Sequence, residues 1–131
     1  MDPVAVNKPK QCPSGYEITI RGFREYTGLD ALEWARRAED LGAGEIVVNS
    51  VDADGTRSGF ELKLTRMIAE NVKIPVVASV GAGCPRHLID VFQKSHADAA
   101  IIAGMIHTGE YNIPGIKKSL AAARIPIRRR W

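Results

Sequence analysis

The sequence predicts an α/β fold made of four strand–helix units, and two observations carry that prediction. Short β-branched runs alternate with helix-length amphipathic stretches along the chain, and strict β–α alternation calls for a parallel sheet with right-handed crossovers. The run Glu45-Ile46-Val47-Val48-Asn49 is almost continuously apolar, as a parallel strand buried on both faces is. Two architectures satisfy this order, a small open sheet or half of a (βα)8 barrel. A full barrel needs about 250 residues, and this chain has 131.

The elements follow in order. Pro3-Val4-Ala5-Val6 begins the first strand, and Glu17-Ile18-Thr19-Ile20-Arg21 alternates apolar and polar residues as a half-exposed strand or hairpin does. Thr27-Gly28 opens a helix from about Leu29 to Leu41, with Leu32, Trp34, Ala38 and Leu41 on or near one side, stopped by Gly42-Ala43-Gly44. After the strand at 45–49 and a polar loop, Asp52 to Gly59, a helix spans about Glu61 to Glu70 with Leu64, Met67 and Ile68 inward. The third strand is Ile74 to Ser79. The loop Val80-Gly81-Ala82-Gly83 leads from it to a helix carrying Leu88, Val91 and Phe92. Ala99 to Ala103 is the fourth strand, and a last helix holds Ile116, Leu120 and Ala123.

Composition narrows the function classes. With 45% apolar and 25% charged residues, the chain reads as a single globular domain over residues 1–131. No apolar run is long enough to span a bilayer and no signal peptide pattern opens the chain, so no membrane partner and a cytoplasmic location are expected. The net charge is +3, much of it in Arg128-Arg129-Arg130. That is a short basic tail without aromatic platforms, so no nucleic-acid partner is expected. Cys12 and Cys84 are too few for a disulfide framework and should stay reduced. No His, Cys, Asp or Glu spacing suggests a metal site, and no cofactor is expected.

In either architecture ligands bind at the C-terminal ends of the strands. Those ends are Asn7-Lys8, then Asn49 to Gly55, then Ser79-Val80-Gly81-Ala82-Gly83, then Ala103-Gly104-Met105-Ile106-His107. The third is a candidate phosphate cradle: small residues let backbone N–H groups approach an anion, and the next helix adds its positive dipole end. Gly104 could complete it from the neighbouring strand. A tight turn is the plainer reading of the same residues. Asp52 and Asp54 could exchange protons at a strand tip, or serve only the turn at Asp54-Gly55. His107 just past the fourth strand, His87 and His96 on or near a helix, and Cys84 at a helix start have structural readings that weigh more.

Several stretches resemble one family, the cyclase subunit of imidazole glycerol phosphate synthase. Asp52-Ala53-Asp54-Gly55-Thr56-Arg57-Ser58-Gly59-Phe60 looks like its D-x-D-G-x-x-x-G-[YF] loop after the sixth barrel strand. Ile74-Pro75-Val76-Val77-Ala78-Ser79-Val80-Gly81-Ala82-Gly83 resembles its seventh strand and phosphate loop. Thr27 to Trp34 and Leu41 to Ile46 resemble its fifth helix entry and the joint that follows. The matches run colinearly from about Val4 to Arg128. The resemblance implies the C-terminal half of a (βα)8 barrel, a (βα)4 half-barrel. That family takes ammonia from a partner glutaminase and a phosphorylated ribulosyl-formimino nucleotide. It closes an imidazole ring with two aspartates as acid and base, and it has two phosphate sites.

The departures shape the expected function. Asn7 stands where the family has its fifth-strand aspartate, and an amide cannot exchange a proton near neutral pH. Val80 replaces the first loop glycine, a poor substitute if the position needs φ > 0. Gly104 stands where the family usually has Ser. Asp54 is kept as the catalytic candidate, and Glu45 is kept at a position the family uses in its ammonia gate. The expected phosphate contacts are Ser79, Val80, Gly81, Ala82, Gly83, Ala103 and Gly104. A half-barrel leaves open edges and an exposed inner face, so a homodimer closing an eight-stranded barrel is expected, with a first-half or glutaminase partner as the alternative. Three functions stay open: a phosphate-ligand-binding half-barrel with little cyclase activity, part of a cyclase needing a first half in trans, or a structural fragment.

Overall fold

A computed structural model describes residues 1–128. In chain order the elements are β1 (Asp2–Ala5), β2 (Tyr16–Ile20), β3 (Glu25–Asp30), α1 (Ala31–Asp40), β4 (Ile46–Asn49), α2 (Leu62–Ala69), β5 (Val76–Ser79), α3 (Pro85–Lys94), β6 (Ala99–Ile101), α4 (Gly104–His107) and α5 (Ile113–Ala122). β4, β5 and β6 form a parallel sheet in that order, with Val47 beside Val77 beside Ala99 and Val48 beside Ala78 beside Ala100. β1 runs along the outer side of β4, where Asn49 N–H donates to Met1 O at 3.0 Å and Val51 N–H to Pro3 O at 2.9 Å. The four predicted strands are thus all present and side by side.

The stretch expected as a half-exposed strand or hairpin is β2, whereas β3 and α4 were not anticipated. β2 and β3 form an antiparallel hairpin that joins β1 in a second three-stranded sheet. The predicted helix start at Thr27-Gly28 is wrong, because these residues lie in β3 and α1 begins at Ala31. The helix starts there because the Asp30 carboxylate accepts from the N–H groups of Leu32 and Glu33, at 3.0 and 3.1 Å, as an N-cap does. Leu41, expected on the buried side, is 73% exposed past the helix end. β2 is buried along Tyr16 to Thr19 rather than alternating, because its polar members find partners. Thr19 donates to Asp2 O at 2.7 Å, and Glu17 accepts from Lys8 Nζ at 2.6 Å and from Gly28 N–H at 2.7 Å.

The two faces of the parallel sheet differ. Ile46, Val48, Val76 and Ala78 belong to the buried cores, packed with Leu64, Ile68, Leu88 and Val91 from α2 and α3. The opposite face carries Val47, Val77 and Ala99 in one row and Asn49, Ser79 and Ile101 in the next. Side chains alternate across a strand, so these rows meet no helix, and they open progressively toward β6. Val77 and Ser79 are still buried, whereas Ala99 is exposed and Ile101 is 47% exposed. β4 is therefore not buried on both faces, contrary to its apolar run: Val47 and Asn49 are half-buried. One covered face and one open face is the layout of half a barrel wall.

The hairpin links to α1 through two carboxylates. Lys8 holds the Glu17 carboxyl below its ordinary value against the opposing effect of burial, with help from Gly28 N–H. Burial also opposes ionisation of Asp30, but Ser14 and the N–H groups of Glu33 and Leu32 outweigh it and hold its carboxyl below the ordinary value. A carboxylate held low in the folded state contributes stability above its unfolded value, and that contribution is lost as pH falls through the folded one. The urea midpoint is expected to hold steady at neutral pH and to fall below about pH 4, near the ordinary carboxylate values. Glu17→Gln should make that acid limb shallower, and an unchanged limb would remove Glu17 from the account.

Candidate functional site

Parallel register brings the strand ends to one side. β5 ends at Ser79 beside Ile101 at the end of β6, and the loop after β4 folds over both. Between them lies a cavity of about 210 Å³ lined by Asp54, Gly55 and Arg57, by Ser79, Val80, Gly81 and Ala82, and by Ile101, Ile102, Ala103 and Gly104. Seven of the residues singled out from sequence line it: Asp54, Ser79, Val80, Gly81, Ala82, Ala103 and Gly104.

The other three lie elsewhere. Gly83 sits one step behind the cavity wall, and its N–H is taken by His87 Nδ1 at 3.1 Å. Asn7 is exposed beyond β1, outside the cavity lining. Glu45 is exposed ahead of β4, at the end of the strand away from the cavity. Asp54 is exposed in a turn closed by Ala53 and Asp54 N–H groups on Ser50 O, each at 3.1 Å. Asp52 has a structural job, accepting from Ala5 N–H at 2.7 Å and tying the end of β1 to this loop. His107 lies exposed in α4, and His96 lies exposed past α3. Cys84 caps α3 without a side-chain bond, and both cysteines are unpaired. Among the described residues no group of three or more His, Cys, Asp or Glu side chains could hold a metal ion, and no helix is long and apolar enough to cross a membrane. Arg129 and Arg130 of the basic tail lie outside the described residues.

The loop after β5 is shaped by contact with the loop after β4. Gly59 N–H donates to Gly81 O at 2.8 Å. A Cβ on Gly81 would come 2.2 Å from Gly59 O, and one on Gly83 would come 2.3 Å from Arg57 O. Neither position can carry a side chain without moving the opposite backbone. Gly81 has φ +89°, and Val80 before it has φ +67°. The position that resembles a family glycine does require left-handed backbone here, and Val80 occupies it with a β-branched side chain against steric preference.

Sequence reasoning did not single out Arg57. It brings a guanidinium to the cavity and pairs with Glu110 from the segment after α4. Its hydrogen bond with Glu110 keeps it firmly protonated. Its place two residues after Asp54-Gly55, in a loop with a strand-end position, was the available signal. The pairing with Glu110, 53 residues away in sequence, had none.

Comparison with known proteins places these features in a family. Residues 4–112 match the family described as histidine biosynthesis protein. The chain is 56% identical over 128 residues to the imidazole glycerol phosphate synthase subunit HisF of Desulfatibacillum aliphaticivorans, covering 98% of this chain and 49% of that protein. It is 54% identical over 131 residues to the corresponding subunit of Desulfosudis oleivorans, covering 100% and 51%. The chain thus spans about half the length of the curated relatives it matches. Among solved structures, (S)-3-O-geranylgeranylglyceryl phosphate synthase from Thermoplasma acidophilum, in complex with its substrate sn-glycerol-1-phosphate, superposes with a TM-score of 0.52 at 17% identity. That match covers 72% of this chain and 36% of that one. The wild-type GGGPS from Thermoplasma volcanium gives 0.59 at 14% identity, covering 79% and 43%. At these identities the likeness concerns the fold alone.

Val80 supplies a direct test of the loop. Left-handed backbone costs an L-residue roughly 1–2 kcal/mol, and glycine gives back roughly 0.5–1 kcal/mol through its freer unfolded state. Val80→Gly is expected to raise the unfolding free energy by about 1 kcal/mol, seen as a higher urea midpoint at unchanged slope. A lower midpoint would mean that the valine side chain contributes packing that outweighs its strain.

Proposed function

This chain belongs to the histidine biosynthesis protein family, and from that premise we propose that it is a half-barrel that binds a phosphorylated small molecule, associates with a second copy of itself and has little cyclase activity alone. The observation that carries the binding reading is the convergence of Ser79 to Ala82, Ala103 and Gly104 on one cavity together with Arg57. Small residues let backbone N–H groups come close to phosphate oxygens. The guanidinium presents donors in a planar fork suited to the same oxygens, and α3 begins six residues beyond Ser79 with its positive dipole end. A cytoplasmic setting fits this reading.

Weak cyclase activity rests on Asn7, an amide at the position where the family resemblance puts a proton-transferring carboxylate. Asp54 alone lines the cavity with a titratable carboxyl, so one half of an acid–base pair is present. A first-half partner in trans, with Glu45 turned toward a glutaminase, is the alternative. It requires activity through an asparagine, and the self-association reading does not.

Self-association is supported by the open face of the sheet and by its edge. On that face Ala99 is exposed and Ile101 is 47% exposed, and β6 borders the sheet with no strand beyond it among the described residues. Pairing with a twofold-related copy would satisfy both edge and face. Light scattering is expected to give twice the chain mass; a monomer at all concentrations sinks the self-association reading.

The binding reading is tested by inorganic phosphate titration followed by amide NMR. Saturable shifts are expected at Val80, Gly81, Ala82 and Gly104, and Gly81→Ala should abolish them, since the added Cβ would collide with Gly59 O. Shifts that are linear in phosphate or spread evenly over the surface would dismiss the site.

A further inference from the structure

We propose that Glu110 is a positioning residue for Arg57: its carboxylate holds the guanidinium at the cavity, ordered before an anion arrives. The effect on a ligand rests on the phosphate-binding reading above; the ordering of Arg57 does not. Arg57 Nη2 donates to Glu110 Oε2. Arg57 lines the cavity and Glu110 does not, so the carboxylate acts on a ligand only through the guanidinium. A guanidinium presents its N–H donors in a planar fork. The bond to Glu110 engages Nη2, and donors on the other nitrogens remain for phosphate oxygens.

Both ends of the pair are carried by constrained backbone. Arg57 has φ +58°, a left-handed conformation that an L-residue keeps only where its surroundings determine it. Beside it, Thr56 Oγ1 donates to Ala53 O at 2.9 Å and accepts from Ser58 N–H at 3.2 Å. The Arg57 carbonyl oxygen lies where a Gly83 Cβ would project, so the missing side chain at Gly83 leaves this backbone its place. At the other end, Gly109 N–H donates to Ile106 O at 3.0 Å and Tyr111 N–H to Met105 O at 3.2 Å. Glu110 is thus held between two residues tied to α4, whose first residue, Gly104, lines the cavity. What the backbone leaves free is the long arginine side chain, and ordering such a side chain opposes binding. The bond to Glu110 removes part of that freedom in advance. Both side chains are about half-exposed, so the effect is modest.

Two variants separate the acceptor from the charge. Glu110→Gln keeps an oxygen acceptor at the same reach, and Glu110→Ala removes it. Both remove the same negative charge, so the difference between them reports the acceptor and not repulsion between Glu110 and an anion. Inorganic phosphate titration is the first readout. Glu110→Gln is expected to bind at least as tightly as the parent, and Glu110→Ala about fivefold more weakly than Glu110→Gln. Equal affinities in the two variants overturn the role in binding, and if both bind more tightly than the parent, Glu110 is a competitor for Arg57. The second readout is the Arg57 guanidinium in the ligand-free proteins, followed by side-chain NMR. Slow rotation about Cζ–Nη2 is expected in the parent and in Glu110→Gln, and fast rotation in Glu110→Ala; equal rotation in all three overturns the positioning. Amide exchange at Tyr111 is expected to stay at the parent rate in both variants, since its bond to Met105 O does not use the Glu110 side chain. A rise there in Glu110→Ala would make the role purely structural and overturn the proposal. If the parent binds no phosphate, the binding reading falls, while guanidinium rotation still decides whether Glu110 positions Arg57.

Discussion

The parallel register that sets Val48 beside Ala78 and Ala78 beside Ala100 is the constraint on which the rest depends. Because side chains alternate along a strand, that register fixes which residues meet the helices and which form the opposite face. It also brings Ser79 level with Ile101, so the loops that follow β5 and β6 emerge at the same height and can share a cavity. A slip by one residue would exchange the faces and send Ser79 into the helical core. Hydrogen bonds between β1 and the end of β4, through Met1 O and Pro3 O, extend the same geometry to a fourth strand.

Local chemistry explains what the register does not. The hairpin β2–β3 buries a carboxylate, Glu17, only because Lys8 and the Gly28 N–H reach it. A buried charge without such partners would be strongly unfavourable. Asp30 then converts the hairpin directly into α1 by capping it. Each is a small device, but together they anchor to the sheet a segment that the alternation of strands and helices would otherwise leave as a long excursion.

The order of the four parallel strands, the helices between them and the gathering of strand ends were legible in the sequence, because each depends on local apolar periodicity and on a topology rule that admits few alternatives. What could not be read follows a pattern. The hairpin was blurred because Thr27-Gly28 next to an amphipathic run imitates a helix entry, and only the cross-strand partner of Thr27, Ile18 O, reveals the strand. The burial of β4 was overestimated because an apolar run says nothing about whether a second face is covered. At the site, the small residues of the cradle announced themselves by type. Arg57 with Glu110 did not, since that contact depends on how separate loops meet.

The interlocked glycines also bear on how this chain can vary. Gly81 and Gly83 have no room for a Cβ unless two loops shift together, and Gly59 has φ +119°, a backbone conformation that strains any other residue. Drift in what the cavity recognises must therefore pass through wall positions that carry a side chain, such as Asp54 and Arg57 on one loop and Val80 and Ala82 on the other. The valine at Val80 shows that such drift is tolerated even against backbone preference. A library built on those four positions, with the glycines untouched, would sample the ligand range open to this scaffold at little risk to its fold.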